Sequence, residues 1–415
     1  MEADVGLSRR TLSRIQRSPL PPAVVVGADI NGLNIARAIA AHRVPVIALD
    51  SERRRFAGYS GALDLVLRPD FNEPSLVDYL VRLAAALPQQ AALFLSMDHH
   101  VELISAHGSC LREHYYFAFP EQHAVDELLD KARFAKRAIQ EGWPIPRTLI
   151  LRQPADLSAA EEIGFPVILK PSMKSAAFRE RSPAKAFRCP DLESLRTSYN
   201  LVSRWIEEVV IQEWVPGGDE QVQFSFHFHD RQLREIACFE GRKIRQYVPE
   251  CGSTSLATGV AVSEVTALSR LILQATRCVG FGSVEYKRHA ETGRFLITEP
   301  TVGRTNLQYG VALANGADLI SRAYFHLIHR AYPVVERPTH DHKWVILDSD
   351  FKAARYWMRE GKLTWRQYYA SLRGPIVLSV WRLSDYRLHA RALGELARMP
   401  FRFLWHRLCR LMRRG

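Results

Sequence analysis

In the N-terminal part of the chain, short apolar runs alternate with stretches whose apolar positions recur at helical spacing. Residues 23–28, AVVVGA, form one such run, and Leu33, Ile35, Ala36, Ile39 and Ala40 follow on one helix face. A second run, Val44 to Leu49, ends at Asp50. Strand, turn, helix and strand in that order predict a parallel βαβ opening. Ala91 to Ser96 predicts another buried strand, leading into Met97, Asp98, His99 and His100. Neighbours on a strand face opposite ways, so these two histidines do not converge on one metal and read as loop residues. Residues 126–140, DELLDKARFAKRAIQ, carry the 3.6 period of an amphipathic helix, ended by Gly142, Pro144 and Pro146.

The period then shortens to that of strands. Phe165–Pro171 is an apolar strand that delivers Lys170 at its end. The polar segment 172–183 predicts a flexible flap, after which Lys185 begins a returning strand. Residues 209–215, VVIQEWV, form a strand broken by Pro216-Gly217-Gly218, with Glu213 and Glu220 on either side of the break. Such a break frees backbone groups that can meet the edge of a purine, and a carboxylate beyond it can accept ribose hydroxyls; two glutamates on a surface ribbon fit the pattern as well. Residues 221–229, QVQFSFHFH, alternate as a half-buried antiparallel strand does. Lys243, Arg245 and Tyr247 lie on the next strand, where they would clamp a carboxylate or simply face solvent, and Arg242 faces away from Lys243. Ser263 is placed to cap a helix running to Cys278. Val284–Arg288 and Arg294–Thr298 form a hairpin around Thr292-Gly293, in which Ser283, Glu285 and Lys287 share one face of their strand, as do Phe295, Ile297 and Glu299 of theirs. In that register Glu285 and Glu299 fall opposite each other, a spacing that suits one or two Mg²⁺ ions bearing phosphate oxygens. Asn315-Gly316 precedes a helix at 317–331, and helical patches follow at 350–360 and 365–372.

Composition narrows the choices. A chain of 415 residues with 47% apolar and 24% charged residues suits two or three ordinary globular domains. No apolar run approaches the ~20 residues of a membrane-spanning helix, and the N-terminal residues lack the apolar core of a secretory signal. Six cysteines without CxxC spacing predict neither a zinc site nor a disulfide framework and suit a reducing cytosol. The net charge of +12 favours an anionic partner, a phosphorylated nucleotide or an acidic lipid; nothing resembles a nucleic-acid-binding motif. The first turn reads Gly27-Ala28-Asp29-Ile30-Asn31-Gly32. A carboxylate at Asp29 repels the pyrophosphate that a second glycine would admit, which disfavours an NAD(P)-dependent oxidoreductase.

Taken together, the order of elements over 23–330 resembles the ATP-grasp superfamily with its preceding Rossmann-like domain. The motifs that carry it are Asp130-Lys131 opening a helix, FPVILKP at 165–171, IQEWVPGGDE at 211–220, VEYK at 284–287 and ITEPTVGRTN at 297–306. The chain looks most like predicted carboxylate–amine ligases of the EPTVGRTN type. The resemblance implies an α/β fold: a Rossmann-like domain at 22–125 behind a basic lead-in at 1–21, an ATP-grasp domain with antiparallel sheets at 126–335, and a mostly helical, basic extension at 336–415. It implies that Lys131, Lys170 and Lys185 bind ATP phosphates, that Glu213, Trp214 and Val215 line the adenine, and that Glu220 takes the ribose. Glu285 and Glu299 would hold Mg²⁺, or Mn²⁺ in its place. Thr301 stands where many members have Asn, so Asn306 or water would supply the missing oxygen. Arg304, one place later than the arginine of the usual motif, and Lys243 would act on the substrate. The implied reaction makes an acyl phosphate from a small-molecule carboxylate, joins it to an amine, and releases ADP and phosphate. A nucleotide-binding regulatory module that does not turn ATP over is the alternative. The segment 391–414 reads as an amphipathic basic helix suited to the inner face of a membrane or to packing on its own domain. A cytoplasmic protein, with a homodimer as its candidate assembly, completes the expectation.

Overall fold

The computed structural model describes residues 5–52, 57–68, 70–182, 184–381, 385 and 388, and the basic segment 391–414 lies outside them. The described strands form three sheets. The first holds β1 (Ala23–Val26), β2 (Val46–Asp50), β3 (Asp64–Leu67), β4 (Ala91–Leu95) and β5 (Tyr115–Tyr116), all parallel, in the order β3-β2-β1-β4-β5. Crossover helices cover both faces of a parallel sheet, so β1, β2 and β4 are buried at every residue. The βαβ opening is present as expected, and its turn is closed by its own acids. Asp29 caps the helix Ile30–Ala40 by accepting from the Gly32 N–H at 2.8 Å, and Asp50 accepts from the Ala28 N–H at 3.0 Å. Two backbone donors that a pyrophosphate would use are thereby taken, which agrees with the argument against a dinucleotide.

Two local expectations for this half are corrected. His99 and His100 lie on the helix Asp98–Ile104, where His100 is buried with its ring 4.2 Å from that of Phe71. The stretch 126–140 belongs to two helices, Gln122–Leu129 and Lys131–Glu141. They part at Asp130, whose carboxylate accepts from the N–H groups of Ala132 and Arg133 at 2.9 and 3.1 Å; a capping acid both stops the first helix and starts the second.

The second sheet comprises β6 (Thr148–Leu151), β7 (Val167–Pro171), β8 (Phe187–Cys189) and β9 (Val209–Glu213), antiparallel in the order β6-β9-β7-β8. It has its own apolar interior, including Val167, Leu169, Leu195 and Ile211. The expected flap carries a short helix, Ala176–Arg181, anchored in that interior by Phe178.

The third sheet contains β10 (Val222–His229), β11 (Glu235–Tyr247), β12 (Ser253–Gly259), β13 (Gly280–Arg288), β14 (Phe295–Val302), β15 (Lys343–Val345) and β16 (Ile376–Leu378), ordered β14-β13-β10-β11-β12-β15-β16. The alternation on β10 predicted one wet face, yet all eight of its residues are buried. Phe224, Phe226 and Phe228 join the core that includes Tyr324 and Phe325 of the helix Leu319–Leu327. The polar face lies under the helix Ser263–Ala275. That helix is not capped by Ser263: its N-cap is Val262, whose N–H donates to the Glu240 carboxylate, and it ends before Cys278. The C-terminal stretch contains the helices Leu347–Arg359 and Trp365–Ser371, and it also returns β15 and β16 to the main sheet. Among the described residues no helix is long and apolar enough to cross a membrane.

Candidate active site

The hairpin of β13 and β14 places Glu285 directly opposite Glu299, as the sequence predicted. The path to that register differs. A bulge leaves Thr298 without a partner, so that Tyr286 pairs with Ile297 and both turn into the core. Ile297 and Phe295 therefore do not share a face with Glu299, because an extra residue reverses the alternation beyond it. The carbonyl of Thr298 accepts from Lys170 Nζ at 3.3 Å, and its hydroxyl donates to the Glu285 carbonyl at 3.1 Å.

A cleft opens between this hairpin and the second sheet, and basic residues converge on it from several elements. Lys131, at the start of its helix, lies 3.0 Å from Glu299 Oε1. Lys170, on β7, donates to Gln212 Oε1 at 3.0 Å. Lys243, on β11, lies 2.9 Å from Glu285 Oε2 and donates to Gln246 Oε1 at 3.2 Å. Lys185 reaches across to Ser253 Oγ at 2.9 Å. Burial pushes the Glu299 carboxyl up, but Lys131, Lys174 and Lys170 outweigh it and hold the group below the ordinary carboxylate range. Burial lowers the Lys170 and Lys174 ammonium groups, with Glu299 opposing in each case. Arg304 reaches Asp98 Oδ1 at 2.5 Å, and its Nη1 donates to the Thr305 carbonyl at 2.7 Å. Thr305 and Asn31 bond reciprocally at 2.6 and 2.7 Å, which ties the segment after the hairpin to the helix Ile30–Ala40.

Glu213, Trp214 and Val215 line the same cleft. Glu213 pairs with Arg147 at 3.1 Å, and the Trp214 N–H is already donated to the Pro166 carbonyl at 3.1 Å. Glu220 does not join them. It is exposed and folds back over Gly218, while its neighbour Asp219 is buried and accepts from Gln246 and Glu250. Arg245 also leaves the expected face. Bulges on either side of it turn its guanidinium into a buried bidentate pair with Asp350, at 2.8 Å for both bonds. Sequence reasoning missed Lys174 and Lys287, which both line the cleft. Lys287 was legible from its shared face with Glu285, and it sits 4.5 Å over the Trp214 ring. Lys174 comes from an irregular segment that carries no periodic signal.

No known family profile matches the chain. It is 22% identical over 321 residues to the D-aspartate ligase of Enterococcus faecium, an alignment covering 71% of this chain and 74% of that one. Its structure is similar to the biotin carboxylase domain of the Hydrogenobacter thermophilus 2-oxoglutarate carboxylase, solved with MgADP, ADP and bicarbonate. That match has a TM-score of 0.60 at 14% identity and covers 79% of this chain and 74% of the other. It is also similar to Staphylococcus aureus N5-carboxyaminoimidazole synthetase complexed with ADP, with a TM-score of 0.58 at 11% identity over 77% and 80% of the two chains. The chain has an ATP-grasp fold.

The oxygen donors that line the cleft can be tested against a divalent cation. Glu285 and Glu299 face each other, paired with Lys243 and Lys131 respectively. Asn306 Oδ1 is buried in the cleft wall without a hydrogen-bond partner. Thr301, nearly buried, adds a hydroxyl beside them. Carboxylate, amide and hydroxyl oxygens are what a hard cation such as Mg²⁺ takes, so the residues fit the ion.

Proposed function

We propose that this ATP-grasp protein is an ATP- and Mg²⁺-dependent ligase that activates a small-molecule carboxylate as an acyl phosphate and joins it to an amine. The observation that carries the reading is the in-register pair Glu285 and Glu299, flanked by Lys131, Lys170 and Lys174 at one end of a single cleft. Glu285, Glu299 and Asn306 would hold Mg²⁺, with Mn²⁺ as the other cation suited to these oxygens. The bound cation supplies charge neutralisation at the phosphates. Lys131, Lys170 and Lys174 would orient the triphosphate, and Trp214 and Val215 would cover the adenine. Positioning and charge neutralisation are what phosphoryl transfer asks of a protein. The substrate carboxylate takes the γ-phosphoryl group and ADP leaves; the amine then attacks the acyl carbon and phosphate leaves, with loss of a proton. Arg304, held by Asp98 beside Lys131, Lys174 and Glu299, would steady the anionic acyl phosphate. Similarity to D-aspartate ligase supports an amino acid as one of the two substrates.

The test is ADP release by the full-length protein against pooled amino acids, other carboxylic acids and amines. Release should require both a carboxylate and Mg²⁺, and should disappear in Glu299→Ala. Undiminished release in Glu285→Ala and Glu299→Ala would overturn the assignment.

A further inference from the structure

A second cluster of ligand-type side chains lies on the sheet face opposite the cleft. On β10 and its neighbour β13, Phe224 pairs with Glu285, while His227 and His229 pair with Gly282 and Gly280 and project the other way. Donor atoms of His227, His229 and Glu235 all lie within 4.8 Å of one another. Both histidines are fully buried, their rings parallel to within 3° and 5.6 Å apart. His227 is held on both sides: Nε2 is 2.8 Å from Ser225 Oγ, and Nδ1 is 2.7 Å from Glu235 Oε2. Arg270, from the covering helix, grips Glu235 at 2.9 and 2.8 Å.

His229 is different, because neither of its ring nitrogens has a hydrogen-bond partner. An imidazole packed only for its bulk would be better replaced by an apolar side chain, since burial strips both nitrogens of water without return. Cys238 completes the group. It is exposed and stands directly across from His227 in the strand pairing, on the same face and beside the three mutually close donors.

We propose that His227, His229 and Glu235, with Cys238 turning in from the facing strand as the fourth ligand, form a metal site, separate from the cleft, for a borderline transition-metal cation of the Zn²⁺ class. Two imidazoles, one carboxylate and one thiolate are a Zn²⁺ donor set and a poor one for Mg²⁺. No CxxC spacing announces it, because its ligands come from two paired strands. On binding, His227 Nδ1 and Glu235 Oε2 would move from 2.7 Å to the roughly 3.3 Å separation of tetrahedral ligands about 2.0 Å from zinc. The Ser225 hydroxyl would stay on Nε2 and fix the ring, as outer hydrogen bonds do at such sites. The Cys238 thiol would lose its proton to solvent, so that thiolate and carboxylate balance the two positive charges. Arg270, whose side chain is 40% exposed, has room to release one carboxylate oxygen. The ion would pin β10 to β11 at the centre of the sheet that carries Glu285 and Lys243.

The test uses full-length protein stripped with chelator and titrated with Zn²⁺ against a chromophoric competitor. It is run in the wild type and in a Glu285→Gln/Glu299→Gln variant that removes the cleft cation. A single tight Zn²⁺ per chain should persist in that variant and raise its thermal midpoint. His229→Gln and Glu235→Gln should each weaken it by at least ~10–100-fold, the loss typical of removing even an outer partner. Co²⁺ in place of Zn²⁺ should give a thiolate charge-transfer band that Cys238→Ser abolishes. No tight Zn²⁺ in the cleft variant, affinity unchanged in His229→Gln, or a Co²⁺ spectrum without the thiolate band would overturn the four-ligand site.

Discussion

Lys243 and Arg245 are two places apart on one strand, yet they belong to regions that treat charge in opposite ways. Lys243 faces the cleft, where seven basic side chains meet five acidic ones and a positive surplus is left for a polyanion. Arg245 lies in a seam behind the strand, where Asp350 cancels it bond for bond and both side chains are within 5% of complete burial. The separation comes from the backbone, since a bulge at Ile244 reverses which side the next residue faces. A surplus of like charge over a cleft is a binding device. A balanced pair in the interior holds two elements in place and offers a ligand nothing.

Substitutions should separate these two regions by their size and by what they change. Asp350→Ala leaves Arg245 buried without its counter-charge, and should lower stability by about 3–5 kcal/mol in urea unfolding. Any activity that remains should keep its affinity for ATP. Glu299→Gln should have the converse effect, with folding retained and ADP release falling roughly 100–1000-fold, the scale of losing one preorganised electrostatic contact. Lys174→Met removes one charged contact to phosphate and should raise the KM for ATP by about tenfold. Smallest of all, Glu220→Gln should change activity by less than about twofold, because this exposed carboxylate points back over its own loop. A large loss there would show that the Pro-Gly-Gly loop rearranges when nucleotide binds, and would restore the ribose assignment.

Much of the site could be read from residue order because it depends on local rules. A glycine turn between two strands brings Glu285 and Glu299 to the same end of one hairpin, and the ends of apolar strands deliver Lys170 and Glu213. What was lost depended on distant partners. Asp219 and Glu220 are adjacent acids, and which one turns inward is decided by Gln246 and Glu250, some thirty residues on. The alternation on β10 looked half-wet because nothing local announces that helices from 263 and 319 cover both of its faces. Lys174 sits in irregular chain, where spacing carries no information. Bulges at Thr298 and Ile244 insert one residue each, and a period of two cannot reveal where it fails.

The four strands β6 to β9 enclose their own hydrocarbon, and none of their core residues belongs to the other clusters. Across the cleft they are joined to the rest by polar links, among them Lys170 to the Thr298 carbonyl, Lys185 to Ser253 and Arg188 to Glu250. Water can replace those links, so an outward tilt of this unit would leave the hydrocarbon of its own core closed. A door built this way would open by tilting on its frame, and no part of it has to melt.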